Sequence, residues 1–125
     1  MILDTNIVLR FLLGEADATI RKLLEKETVF LTDMVISEVV YVLHGKIYNY
    51  TRAGLIGAIV TLLARKNVRH MSDVGDGYLR LYANSTLDLA DCYLIELAIR
   101  QRLPLKTFDK KMQRVYECEL KKAAT

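Results

Sequence analysis

Hydrophobic and polar positions along this chain switch repeatedly between a strand-like and a helix-like pattern. "MILD" at residues 1–4 sets three apolar side chains ahead of an acid, too short for a helix, and predicts a buried strand. Apolar residues return at helical spacing from Asn6 to Leu13 and stop at Gly14. "EADATIRKLLEKE" places Ile20, Leu23 and Leu24 on one face and predicts a second amphipathic helix. "TVFLT" is β-branched and aromatic, which predicts a second strand. In "DMVISEVVYVLHGKIY" the residues Val35, Ile36, Val39, Val40, Leu43 and Ile47 form a helical stripe. "NYTRAGLIGAIVTLLARK" repeats that pattern through Leu55, Ile56, Ile59, Val60 and Leu63, with Thr51 as its expected N-cap. These two helices are expected to pair as an αα-hairpin. "VRHM" predicts a third strand, and "SDVGDGYLRLYANS" a helix weakened by its glycines. "LDLADCYLIELAIRQR" predicts a strong helix, and "LPLKTFD" a short strand after Pro104. "KKMQRVYECEL" is mixed, with helix and strand both open, and the tail from about residue 118 is expected to be loosely ordered.

Strands that alternate with helices predict a three-layer α/β/α fold on a mostly parallel central sheet. The chain has 125 residues, which suits a single domain over residues 1–125. Hydrophobic residues make up 52% and charged residues 26%, so a substantial core is expected. No apolar run approaches the ~18–20 residues that cross a bilayer, and the start lacks the pattern of a signal peptide. Cys92 and Cys118 form neither a disulfide framework nor a zinc spacing, and are read as reduced thiols of a cytoplasmic protein. A net charge of +3 is compatible with a polyanionic partner without demanding one.

Candidate chemistry lies in the acids. In open α/β sheets, sites gather outside the carboxyl ends of the strands. Asp4 ends the first expected strand and Asp109 ends the "LKTF" strand. Glu38 lies opposite the aliphatic stripe of its helix, and Asp91 sits near the start of its own, three residues after Asp88. Each has an ordinary alternative. Asp4 is equally suited to cap the next helix, Glu38 to be a solvated surface acid, and Asp109 to close a turn before Lys110 and Lys111. Asp88 with Asp91 matches an N-cap followed by an acid at the third helical position, which is the preferred reading of Asp88. As a set they mean more. At an effective dielectric near ~20, each like-charged pair at ~4 Å costs about 4 kcal/mol. Converging carboxylates would therefore have to be protonated, spread apart or filled by cations, and hard oxygen ligands suit Mg²⁺ or Mn²⁺.

With those residues in view, "ILDTNIVLRFL", "ISEVVYVL" and "LDLADCYLIELAIRQRLPLKTFDKK", in this order, resemble a PIN domain, most like the VapC toxins of bacterial and archaeal toxin–antitoxin pairs. The resemblance covers Met1 to about Lys111. It implies an acidic quartet of Asp4, Glu38, Asp91 and Asp109 holding Mg²⁺ or Mn²⁺, with Asn6 and Thr107 as supporting polar residues. It implies a metal-dependent endoribonuclease that cuts structured RNA by metal-activated water, leaving a 5′-phosphate and a 3′-hydroxyl. It also implies a cognate VapB-like antitoxin laid over the active site, and a homodimer. Basic side chains that could meet RNA are Arg10, Lys46, Arg52, Lys106, Lys110, Lys111 and Arg114, of which Lys106, Lys110 and Lys111 lie nearest a proposed ligand in sequence. Tyr41, Tyr48 and Tyr50 fit either an interface or the periphery of the core. His44 and His70 are read as ordinary polar residues, and Cys92 as packing.

The main alternative is a catalytically silent PIN-fold module that binds RNA or protein; the intact quartet argues against it. A haloacid-dehalogenase-like phosphatase would need a second Asp where Asn6 stands. A receiver-like signalling domain would need paired acids early in the chain, which "DTN" lacks.

Overall fold

A computed structural model describes residues 1–124 and shows a mixed α/β chain. Its contacts divide into two compact units, Met1–Ser72 and the described residues from Asp73 onward. No helix among the described residues is long and apolar enough to cross a membrane.

The first unit is built around parallel pairing. Helix α1 (Thr5–Leu12) starts where Asp4 turns its carboxylate onto the Thr5 N–H, and the chain leaves it through Gly14 at φ +74°. Helix α2 (Ala18–Lys26) is capped by Asp17, whose Oδ1 accepts from the Ile20 N–H at 2.9 Å. Strand β1 (Val29–Thr32) buries Val29 and Leu31 and leaves Phe30 and Thr32 half-buried, the alternation of a pleated strand. Thr32 then caps helix α3 (Asp33–Leu43), which buries Ile36, Val39, Val40 and Leu43. Helix α4 (Arg52–Leu63) begins at the expected cap, Thr51, whose Oγ1 accepts from the Gly54 N–H at 3.1 Å. It packs against α3, as expected of the hairpin. Strand β2 (Val68–Met71) returns parallel to β1, with Val29 opposite Val68 and Thr32 opposite Met71.

The expected first strand shrinks to a single parallel bridge between Ile2 and Phe30. Two hydrogen bonds hold it, Leu3 N–H to the Phe30 carbonyl at 2.9 Å and Phe30 N–H to the Met1 carbonyl at 2.8 Å. Asp4 already caps α1, so the pairing ends two residues after the bridge. The described sheet therefore has two strands, parallel as expected, flanked by this bridge.

The second unit is helical. Helix α5 (Gly77–Ala83) is shorter than the expected one. Gly75 lies ahead of it at φ +73°, so the glycines shape the approach and the first turn rather than the middle of the helix. Helix α6 (Leu89–Gln101) buries Leu89, Cys92, Ile95 and Ala98 and ends at Arg102, which takes the left-handed conformation at φ +54°. Helix α7 (Lys110–Ala124) settles the mixed tail as helix, seating Met112 and Tyr116 one turn apart in the core. The Tyr78 and Tyr93 rings meet edge to face, their centroids 5.6 Å apart.

The strand expected after Pro104 does not form. Leu103 spends its N–H on the Ala98 carbonyl to close α6, Pro104 has no N–H, and Thr107 turns its hydroxyl oxygen onto the Asp109 N–H at 3.1 Å. Residues 103–107 take neither helix nor strand and the chain bends at Phe108, so Asp109 enters α7 from a turn and not from a strand end.

Candidate active site

In the first unit, Asp4 follows the bridging residues at the carboxyl edge of the sheet and is exposed. Its Oδ1 accepts the Thr5 N–H at 2.8 Å. The Thr5 hydroxyl donates to Glu38 Oε2 at 2.7 Å, reaching the second turn of α3. One residue thus holds two carboxylates, Asp4 through its backbone and Glu38 through its side chain. Each of these bonds occupies one oxygen of its carboxylate. The ordinary reading of Asp4 as a helix cap is true and does not compete with a ligand role, because the cap uses one oxygen.

Thr5 is the residue that sequence reasoning passed over in favour of its neighbour. Asn6 instead lines a cleft of about 410 Å³ together with Leu9, Arg10, Leu13, Glu15, Val42 and Tyr48. The signal for Thr5 was present in the sequence. A hydroxyl residue in the first position of a helix, directly behind a capping acid, has its N–H committed to that acid and its side chain free to reach another element.

In the second unit, Asp91 is half-buried in the first turn of α6. Burial pushes its carboxyl above the usual 3.8, the negative charges of Asp88 and Asp109 push it further, and Lys111 opposes them. Asp91 therefore feels both neighbouring acids, with one lysine opposing them. Asp88 occupies the N-cap position of α6 by its backbone, but its side chain makes no cap hydrogen bond. The capping role expected for its carboxylate is thus not realised, and Asp88 acts on Asp91 through charge. Asp109 Oδ1 accepts from the N–H groups of Lys111 at 2.9 Å and Met112 at 3.1 Å, which fixes it at the start of α7. Thr107 supports it by accepting the Asp109 N–H. Lys111 Nζ reaches the Thr86 carbonyl at 3.5 Å.

The remaining candidates fall as follows. His70 Nε2 lies 2.7 Å from Asp33 Oδ1, and His44 Nδ1 lies 2.8 Å from the Tyr50 carbonyl oxygen, so both histidines are engaged within the fold. Cys92 is buried and Cys118 exposed. Tyr41 is 84% exposed, while Tyr48 and Tyr50 are 43% and 37% exposed and lie at the periphery.

Among the described residues, no group of three or more His, Cys, Asp or Glu side chains is arranged to hold a metal ion by itself. The donor chemistry nonetheless fits a hard divalent cation. Asp4 and Glu38 offer carboxylate oxygens in the first unit, Asp88, Asp91 and Asp109 offer them in the second, and the repulsion that Asp88 and Asp109 exert on Asp91 is what a cation would relieve.

The PIN domain family model matches residues 1–117, and the chain belongs to that family. Its members are typically nucleases, generally use divalent metals, and have an α/β/α fold. Neither a curated protein nor a solved structure matches the chain.

Proposed function

We propose that this protein is a Mg²⁺- or Mn²⁺-dependent endoribonuclease of the VapC-like toxin type, acting on structured RNA in the cytoplasm. The observation that carries the reading is the family match, which runs through both compact units and takes in every acid of the quartet. In this reading residues 1–125 act as a single domain, and Asp4, Glu38, Asp91 and Asp109 are the metal ligands. Held by these carboxylates, a divalent cation would supply an activated water near neutral pH and would offset charge on the phosphate.

The chain's own residues do the rest. Thr5 orients Glu38 and Asp4 together. The amides of Lys111 and Met112 hold Asp109, with Thr107 behind it. Asp88 adds negative charge beside Asp91. Asn6 lies one residue beyond Thr5, in the cleft that also holds Arg10. Lys106, Lys110 and Lys111 offer cations to the RNA backbone around Asp109. By the same reading the protein is held silent by a VapB-like antitoxin and works as a homodimer.

The test is cleavage of RNA by purified protein in Mg²⁺ or Mn²⁺, with chelator and the Asp4→Asn variant as controls. Loss of cleavage in both controls supports the reading. Cleavage that survives either control sinks it.

A further inference from the structure

An aromatic ring left in water forgoes the stabilisation that burial would give it. Phe108 is 94% exposed, more than any other large apolar side chain in the described residues. Single exposed hydrophobic residues are common and need no special cause. Three observations separate Phe108 from them.

The first is where its backbone is fixed. Phe108 sits between Thr107 and Asp109 in a turn closed by Thr107 Oγ1 on the Asp109 N–H and by Asp109 capping α7. A ring on a pinned turn can be presented to a ligand without ordering a flexible loop. The second is the space beside it. Phe108, Thr107, Asp109, Lys110, Gln113 and Arg114 line an open cleft of about 420 Å³, within the ~300–1,000 Å³ typical of small-ligand sites. The third is charge. Lys106 Nζ stands 5.8 Å from the ring centroid, and Lys110 and Arg114 share the cleft. The residues that share the cleft with the ring are Thr107, Asp109, Lys110, Gln113 and Arg114, with no second large apolar side chain among them. That favours a ligand combining a flat π-face with negative charge over an apolar protein partner.

We propose that Phe108 is a base-stacking platform for single-stranded RNA. One unpaired nucleobase lies against its ring while Lys106, Lys110 and Arg114 meet the adjoining phosphates. Stacking on an aromatic side chain inside a basic groove is how proteins hold single strands without reading sequence, because every base has a π-face. The choice of RNA rests on the nuclease reading above. The inference goes beyond it by naming the contact that holds a strand beside Asp109.

The experiment is binding in chelator, where no cleavage can occur, of two fluorescent probes: a short oligoadenylate, and an abasic ribose-phosphate oligomer of the same length. Wild-type protein is expected to prefer the oligoadenylate. Phe108→Ala should weaken that probe by roughly 5- to 100-fold while leaving the abasic probe unchanged, and Phe108→Trp should restore the preference. Phe108→Leu keeps apolar bulk without a π-face and should behave like the Ala variant. Lys106→Gln should weaken both probes alike and reduce the salt dependence by about one phosphate contact. The proposal is overturned if wild type shows no preference, or if Phe108→Ala binds oligoadenylate as tightly as wild type or loses both probes equally. It is equally overturned if that variant keeps RNA binding but loses self-association, which would assign the ring to a protein contact. Because the assay contains no metal, a failure of metal-dependent cleavage elsewhere would remove the nuclease reading and leave this result standing on its own.

Discussion

The Thr5 hydroxyl donates to Glu38 Oε2 at 2.7 Å while the Thr5 N–H is given to Asp4 at 2.8 Å. Two acids from separate elements of the first unit are thereby set by one side chain and its own amide. Replacing Thr5 with Val keeps the β-branched shape and the amide but removes the hydroxyl. Cleavage by Thr5→Val is expected to fall about 10- to 100-fold, the usual loss when a residue behind a metal ligand is removed. Stability should change by less than about 1 kcal/mol, because the bond lies at an exposed position. Thr5→Ser, which restores the hydroxyl, should recover most of the activity. Initial rates for the three proteins, alongside their urea midpoints, check this.

Asp91 gives a pH dependence with a definite sign. Its folded-state carboxyl is raised above the usual 3.8, by burial first and then by Asp88 and Asp109. The native state therefore binds that proton more tightly than the unfolded chain does. The contribution is fully present below the unfolded value and is lost as pH rises through the folded one. In chelator, urea-unfolding stability measured from about pH 4 to about pH 7 should fall more for wild type than for Asp91→Asn. Equal slopes for the two proteins would show that Asp91 is not strained by its neighbours. The same variant should lose RNA cleavage, so its stability and its activity move in opposite directions.

Metal removal should be visible without any RNA. A cation that binds only the folded protein stabilises it by about 2.7 kcal/mol when its concentration is a hundred times Kd. Wild type should melt at a higher temperature in Mg²⁺ than in chelator, and the gap should narrow sharply in Asp4→Asn. An equal Mg²⁺ response in the two proteins would exclude Asp4 as a ligand.

His70 on β2 and Asp33 at the start of α3 form a 2.7 Å pair whose side chains are only 14% and 17% exposed. The pair ties the carboxyl end of one strand to the helix that follows the other. Truncating either partner removes this contact from a mostly buried place and should cost about 1–3 kcal/mol. The double variant should cost less than the sum, which a double-mutant cycle on urea midpoints will measure. Strict additivity would mean that the pair is incidental. RNA cleavage should persist in both single variants under conditions where they remain folded.

Much of this architecture was legible along the chain. The cap at Thr51, the strands "VFLT" and "VRHM", and the stripe through Ile36, Val39, Val40 and Leu43 follow from local pattern and polar chemistry, whereas Ile47, expected at the end of that stripe, lies beyond α3 and is exposed. The failures share a cause. A strand is a relation between two segments, and the propensity of "LKTF" cannot reveal that Leu103 and Thr107 have already committed their polar groups locally. In the tail, charged residues masked a simple i, i+4 pair, Met112 and Tyr116, that was enough to seat a helix. At the site the acids stood out because they are chemically distinctive. Thr5 did not, because a threonine at a helix start has many ordinary reasons to be there, and only the reach of its hydroxyl to Glu38 sets it apart.

The two units should not acquire their structure at the same pace. Val29 and Val68 face each other across a parallel ladder although about forty residues separate them, and the crossover between them contains α3 and α4. That ladder cannot close until a long loop has been drawn in and its helices have begun to pack. In the second unit, α5 meets α6 and α6 meets α7, each a neighbour in sequence. Contacts so local form early. During refolding, helical signal and protection of the α6 amides should therefore precede protection at Phe30 and Leu31. The rate at which the native protein appears would then be set by the sheet that positions Asp4, the last part of the first unit to find its partners.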